Sequence, residues 1–136
     1  MRVPSSLAAL LTVTVLAAAP VAAQEARQFA ADRVTGLRFF ERAQLGPHEL
    51  TPFGVVRDQR CADPRFCYRP EDMRISIILH ERAIPREVVL RLGQPVAVPG
   101  GYYLLRDPGT RPRFRGALSL DEYALDIAFI PERRAR

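Results

Sequence analysis

Alternation of apolar and polar residues dominates this chain and predicts β-strands. Residues 73–80 place apolar side chains at every second position, and residues 123–130 repeat the pattern. Strands of this kind turn one face to a core and the other to solvent, because successive side chains point to opposite faces. Both segments are therefore predicted as strands with one buried face.

Shorter runs bounded by glycine and proline predict the remaining strands. Pro52 lies inside one of them and marks it as an edge or bulged strand, because proline cannot donate to a sheet. Ser119 and Glu122 have the spacing of a capping box, which predicts one helical turn before the last strand. The predicted strands cover residues 34–42, 49–57, 73–80, 87–92, 95–98, 101–106 and 123–130.

Six to seven short strands without a convincing amphipathic helix indicate an all-β protein. The pattern favours an antiparallel β-sandwich of immunoglobulin-like type, or a small barrel. With 136 residues in the whole chain, there is room for one domain of ordinary size. We assign that domain to residues 34–131 and predict a solvated tail over residues 132–136.

The N-terminal segment predicts export. Residues 1–23 combine Arg2 with an apolar stretch over residues 7–19 and small residues beyond it, as secretory signal peptides do. The apolar stretch is too short to span a bilayer, which needs about 20 residues. We expect cleavage after Ala23, then a flexible lead-in over residues 24–33 and no lipid anchor. The predicted location is the periplasm or the extracellular space; an uncleaved N-terminal anchor is the alternative.

Cys61 and Cys67 are the only cysteines, and they allow a single intramolecular disulfide. An oxidising compartment favours that bond. A loop this short would stabilise the fold by about 2 kcal/mol in the chain-entropy model. A redox-active or metal-binding pair is the alternative, although familiar redox pairs have two intervening residues rather than five.

Charge and composition make nucleic acid a poor candidate partner. The formal net charge is +5, and all 20 basic residues are arginine, with acidic residues interspersed. Codon bias in a GC-rich genome explains the absence of lysine. The alternative is selection for the planar guanidinium, which binds carboxylates and phosphates with two parallel hydrogen bonds.

The cysteine segment resembles a group of small exported bacterial proteins of unknown function. Their pattern is an apolar strand, Asp-x-Arg-Cys, a few residues and a second cysteine, followed later by a tyrosine-led strand. The resemblance implies a disulfide-pinned β-sandwich and no activity. Matching positions here are Asp58, Arg60, Cys61, Cys67 and the strand that starts at Tyr123. Departures occur at Ala62, Tyr68, Arg69 and Pro70.

Asp58 and Arg60 are predicted to support the cysteine loop. Asp58 would accept hydrogen bonds from backbone N–H groups, as aspartate does in turns. Arg60 would donate to loop carbonyls or pair with Asp63. The alternative is that both side chains only solvate a strand end.

Residues for catalysis or metal binding are scarce. His48 and His80 are the only histidines, and their spacing matches no metal motif. A Gly-x-Ser-x-Gly nucleophile elbow is absent from the sequence. We therefore expect no enzymatic activity, no metal and no cofactor.

The best candidate contact surface is the arginine-rich segment 106–115. Its arginines could bind an anionic group or an acidic partner by charge-assisted hydrogen bonds; an ordinary solvated loop is the alternative. One ring of the pair Tyr102 and Tyr103 should fill the core while the other faces outward. The candidate contact residues are Arg106, Arg111, Arg113, Phe114, Arg115 and Tyr103.

These features together predict a non-catalytic exported module. Its role would be binding or structural, directed at a protein or an anionic component of the bacterial envelope. A small inhibitor of an exported hydrolase is the alternative, because an inhibitor also needs a rigidly presented loop.

Overall fold

Two four-stranded antiparallel sheets pack face to face in the computed structural model, which describes residues 32–133. The first sheet has the order β1-β8-β7-β6 and the second has the order β2-β3-β4-β5. The predicted all-β sandwich is therefore confirmed. The strands are β1 (Arg33–Leu37), β2 (Ala43–Leu45), β3 (His48–Asp58), β4 (Met73–Leu79), β5 (Arg86–Arg91), β6 (Pro95–Val98), β7 (Gly101–Gly109) and β8 (Tyr123–Pro131).

Parts of the sequence prediction fall outside the described residues. They are the signal peptide over residues 1–23, all but the last two residues of the lead-in, and residues 134–136 of the tail. Within residues 32–133, no helix has the length and apolar character needed to cross a membrane.

The core lies between the sheets and is built from the alternating side chains that the sequence indicates. Strands β4 and β8 lie in the interior of their sheets, so both of their edges are paired. Burial of one face removes a continuous apolar surface from water, which is the main stabilising term in such a fold. The buried residues of these two strands include Met73, Ile75, Ile77, Leu79, Tyr123, Leu125, Ile127 and Phe129.

The structure differs from the prediction by more than one residue in three places. Strand β1 ends at Leu37 rather than continuing to residue 42, because Phe40 has a left-handed backbone with φ of 66°. The unpredicted strand β2 follows and pairs with β3 across a turn at Gly46. Strand β7 continues to Gly109, so it includes the start of the segment that we predict as a connection.

Strand β3 carries two bulges, the first at Pro52 as predicted. The register with β4 shifts between Pro52 and Gly54, and again between Val55 and Arg57. The second shift makes Val56 an extra residue. A bulge changes which side chains face the core, and here it sets the residues that β3 presents at its end.

The predicted capping box is also confirmed. A 3₁₀ turn covers Leu120–Glu122 immediately before β8. The backbone N–H of Ser119 donates to the Glu122 carboxylate at 2.9 Å. The turn fixes where β8 begins, and thus where Tyr123 enters the core.

Candidate functional site

The disulfide loop connects the end of β3 to the start of β4. Cys61 and Cys67 form the predicted disulfide, with their Cα atoms 5.6 Å apart. Inside the loop a 3₁₀ turn covers Pro64–Phe66, and the Asp63 carboxylate accepts the backbone N–H of Arg65 at 2.9 Å. The loop is therefore closed covalently and ordered internally by a short capped turn.

The alternative interpretation of the cysteine pair is a metal site. Three potential ligands do lie close together there, but the two cysteines are not available as thiolates. Ligand atoms of Cys61, Cys67 and Glu71 lie within 4.8 Å of one another. The two sulfurs are bonded to each other, so neither can act as a thiolate ligand. The Glu71 carboxylate in turn accepts a hydrogen bond from Arg111 at 2.6 Å.

A buried ion pair lies directly beneath this loop. The Arg60 side chain is only 2% exposed and donates to both carboxylate oxygens of Asp58, at 2.9 Å from Nε and 2.8 Å from Nη2. Asp58 also accepts the backbone N–H of Arg60 at 3.2 Å and the Tyr123 hydroxyl at 2.9 Å. Four hydrogen bonds thus reach one carboxylate, as a buried charge requires.

Arg60 also joins the end of β3 to the end of β7. It donates to the carbonyl of Thr110 at 2.9 Å and lies 3.4 Å from the carbonyl of Gly109. The expected pairing with Asp63 is wrong, because Asp63 is paired with its neighbour Arg65. The loop that Arg60 braces is therefore the connection after β7.

A second arginine ties the disulfide loop to the same connection. Arg111 donates from Nη1 to the Cys61 carbonyl at 2.9 Å and to Glu71 at 2.6 Å. Glu71 also accepts the backbone N–H of Cys61 at 3.0 Å. Together with Arg60, these contacts fix the two loops to each other. We call residues 61–71 and 106–116 jointly the loop platform.

The electrostatics of this region follow from these hydrogen bonds. The pKa of Glu71 is lowered chiefly by its hydrogen bond from Arg111. Burial by itself raises the pKa of Asp58, but the hydrogen bonds from Arg60 and Tyr123 outweigh it, so the pKa is lowered overall. Burial, reinforced by the Asp58 carboxylate, raises the pKa of Tyr123 to about 12. Both carboxyl groups are therefore ionised at neutral pH, and Tyr123 is protonated.

The predicted contact residues divide into exposed and internally bonded ones. Arg106, Phe114 and Arg115 are exposed, and neither of these arginines has an ion pair with another described residue. Arg111 is bonded within the loop platform, and Arg113 pairs with Glu122. The five residues belong to one surface segment, in which Arg113 is exposed as well as paired and Arg111 is only half-exposed.

Tyr103 requires a correction, because it is a core residue rather than a contact residue. Its side chain is fully buried, and its hydroxyl donates to the Leu45 carbonyl at 2.9 Å. Tyr102 is the exposed member of the pair. The division of the two rings between core and surface therefore agrees with strand alternation, and Tyr102 is the ring that could contact a partner.

The sequence analysis missed two exposed aromatic residues on the disulfide loop. Tyr68 is 94% exposed, and Phe66 and Phe114 are likewise exposed. The short cysteine spacing is a signal that could have identified the loop residues, because a six-residue separation leaves too little chain to cover an aromatic ring. Exposed aromatic residues beside arginines are typical of protein–protein contact surfaces.

The two histidines do not converge on a site. They lie near each other along adjacent strands, but the His48 ring packs against Tyr103, 6.2 Å between ring centres, whereas His80 shares a hydrogen bond with Thr51 at 2.9 Å. Leu50, next to Thr51, is buried, so Thr51 and His80 belong to the outer face. The rings therefore lie on opposite faces of the second sheet.

The surface of residues 32–133 includes two hollows of different character. One of about 270 Å³ belongs to the loop platform and is lined by Arg60, Arg106 and Arg111. The other, of about 430 Å³, lies between Phe40 and Leu120. The first hollow has a positively charged lining, and the second is mainly apolar.

The loop platform thus combines a rigid base with exposed aromatic and cationic side chains. The resemblance to small exported bacterial proteins depends on Asp58, Arg60 and the two cysteines, and it stays a prediction. Comparisons of the chain with protein families, curated proteins and solved structures found no match.

Proposed function

We propose that this protein is a non-catalytic binding module of the bacterial periplasm or cell exterior, and that it contacts an acidic partner protein through the loop platform. The observation that carries the proposal is the bracing of two exposed loops by Arg60 and Arg111. These arginines make their hydrogen bonds inside the protein, so they hold the surface in shape and leave other residues to contact the partner.

Rigidity favours binding, because little conformational entropy remains to be lost on association. The disulfide, the 3₁₀ turn at Pro64–Phe66 and the Arg111–Glu71 pair all restrict the loop before any partner arrives. Aromatic side chains then supply contact area, and they have few rotatable bonds to immobilise.

Charge indicates the kind of partner. Arg69, Arg106 and Arg115 have no side-chain ion pair within the described part of the chain. A partner that presents carboxylates between apolar groups would match both the arginines and the exposed aromatic rings. An anionic envelope polymer would use the arginines but would leave Phe66 and Phe114 without an apolar contact.

The test compares two double variants with matched residue types. Y68A/F114A removes two aromatic rings from the loop platform. F53A/Y102A removes one phenylalanine and one tyrosine that are exposed elsewhere. Each mature protein is immobilised, bound proteins from an envelope extract are identified, and the affinity of each purified partner is then measured.

We expect Y68A/F114A to weaken partner binding by about tenfold or more, the effect of losing a central aromatic contact, and F53A/Y102A to leave it unchanged. Binding should also weaken with added salt. Equal affinities of the two variants for every purified partner would reject the loop platform as the contact surface.

Inhibition of a hydrolase is the second candidate function, favoured by the disulfide-closed loop and its exposed Phe66 and Tyr68. Purified protein would then abolish an exported hydrolase's activity at near-stoichiometric amounts, and Y68A would relieve the inhibition. Partner binding without loss of any hydrolase activity would favour the binding module alone.

A further inference from the structure

Three arginines form a row on the outer face of the second sheet. Arg57 of β3 pairs in register with Arg74 of β4, and Arg74 pairs with Arg91 of β5. Residues opposite one another in a ladder point to the same face. Ile75 and Leu90 next to them are buried, so the three guanidinium groups lie on the face away from the core.

A single carboxylate serves all three arginines. Asp72, just before β4, lies 3.4 Å from Nη1 of Arg57, 3.0 Å from Nη2 of Arg74 and 3.1 Å from Nε of Arg91. Within residues 32–133 these arginines have no other ion pair, so three positive charges surround one negative charge and two remain uncompensated. Asp72 is 8% exposed, whereas the arginine side chains are 39–49% exposed.

The three arginines also repel one another. Like charges directly opposite one another across strands are destabilising, and the shared carboxylate offsets only part of the repulsion. The neighbouring ladder row on this face holds no charged residue, since it consists of Gly54, Ser76 and Val89. Glu87 follows one row later, about 13 Å from Arg91 along β5 at the usual rise per residue.

We propose that the row of Arg57, Arg74 and Arg91 is a binding site for a phosphate group. A phosphate dianion would balance the two uncompensated charges, which a single carboxylate ligand would not. Each guanidinium retains N–H donors beyond those directed at Asp72, and its planar fork matches two phosphate oxygens. The shared contact with Asp72 keeps the three guanidinium groups close together.

The phosphate group could belong to a free anion or to a lipid headgroup, since the chemistry is the same. This site is separate from the loop platform and does not depend on the proposed function. Arg57 of the row lies on the outer face of the second sheet. The adjacent Asp58, which pairs with Arg60 beside the loop platform, points to the opposite face, because successive residues of a strand alternate.

The first experiment measures thermal unfolding with inorganic phosphate against chloride at equal ionic strength. Phosphate should raise the melting temperature of the wild-type protein in a saturable way. The variant R57Q/R91Q leaves Arg74 and Asp72 as a neutral pair and should bind phosphate at least about tenfold more weakly, because two charge-assisted contacts are lost. The control R82Q/R86Q also removes two positive charges, but outside the row, and it should bind phosphate as the wild type does.

The proposal is overturned if phosphate has no effect beyond chloride on the wild-type protein, or if R57Q/R91Q responds as R82Q/R86Q does. If the double variant does not fold, the single variant R57Q serves the same comparison, since Arg57 is the most exposed of the three.

The variant D72N separates ligand binding from a structural role. It leaves three uncompensated positive charges, so the apo protein should be less stable, and phosphate should raise its melting temperature more than that of the wild type. A destabilised D72N that phosphate does not restore would overturn the proposal.

Vesicles distinguish the source of the phosphate. Sedimentation with phosphatidylcholine vesicles that contain phosphatidic acid, competed by free phosphate, would support a headgroup ligand. Saturable binding of free phosphate without vesicle binding would support a soluble one. Binding to neither, measured beside the wild-type melting curves, would reject the site.

Discussion

Replacing Asp58 by alanine tests the physical basis of the loop platform. The change leaves the Arg60 guanidinium 2% exposed and without its counter-ion. Two carbonyl contacts to the connection after β7 would remain, but they carry no full negative charge. Breaking a buried pair by removing one partner costs about 3–5 kcal/mol. We therefore expect Asp58→Ala to lower the free energy of unfolding by about 3 kcal/mol or more.

The loss is measured by urea unfolding followed by circular dichroism, and by the melting temperature. For a domain of this size, 3 kcal/mol corresponds to roughly 12 °C. The matched control is Glu49→Ala, which breaks the exposed pair with Arg42 and should lower the free energy of unfolding by no more than about 1 kcal/mol. Equal, small losses in the two variants would refute the reasoning that burial makes the Asp58–Arg60 pair important.

A double-mutant cycle and a pH series sharpen this test. Combining Asp58→Ala with Arg60→Met also removes the guanidinium that would lack a counter-ion. The double variant should therefore lose less free energy of unfolding than the sum of the two single losses. The pKa of Asp58 is lowered in the folded protein, so its contribution is present above the unfolded pKa of about 3.9 and is lost as pH falls through the folded pKa. The difference between wild type and Asp58→Ala should therefore be full at pH 7 and shrink in acid.

Three further predictions concern the disulfide, a buried tyrosine and a close strand contact. Replacing Cys61 and Cys67 by serine should lower the free energy of unfolding by about 2 kcal/mol, measured by urea unfolding, and a reductant should then have no further effect. The pKa of Tyr123 is raised to about 12, so stability should fall as pH rises from about 10 through 12, and Tyr123→Phe should lessen that dependence; an unchanged alkaline slope would contradict this. Gly101→Ala should cost about 2–3 kcal/mol because its Cβ would overlap a carbonyl oxygen of β8, whereas Gly54→Ala, with no atom closer than 4.0 Å, should fold normally.

Local patterns predicted most of the strands and the cysteine loop. Alternation in residues 73–80 and 123–130 depends only on neighbouring positions, so both strands and their buried faces could be inferred directly. Pro52 marked a bulge for the same reason, since a proline cannot donate wherever the strand lies. The short strand β2 and the early end of β1 could not be inferred, because they depend on the left-handed backbone at Phe40 and the pairing with β3.

The loop platform was only partly predictable. Asp58, Arg60 and the arginine-rich segment could be selected from residue type and from their place beside the cysteines. An arginine is internal or exposed according to which carbonyls and carboxylates lie within hydrogen-bond distance of its guanidinium group. Arg111 meets Glu71 across 40 residues of sequence, a contact that no local pattern indicates.

The sequence by itself determined an all-β protein with a covalently closed loop, because side-chain alternation and cysteine count need no knowledge of distant partners. Tertiary structure alone decided the ionic arrangement. The bulge at Val56 shifts the register by one residue, so Arg57 joins Arg74 and Arg91 on the outer face while Asp58 meets Tyr123 inside. The physical reason is the two-residue period of a strand, since a shift of one position moves a charge from solvent to core.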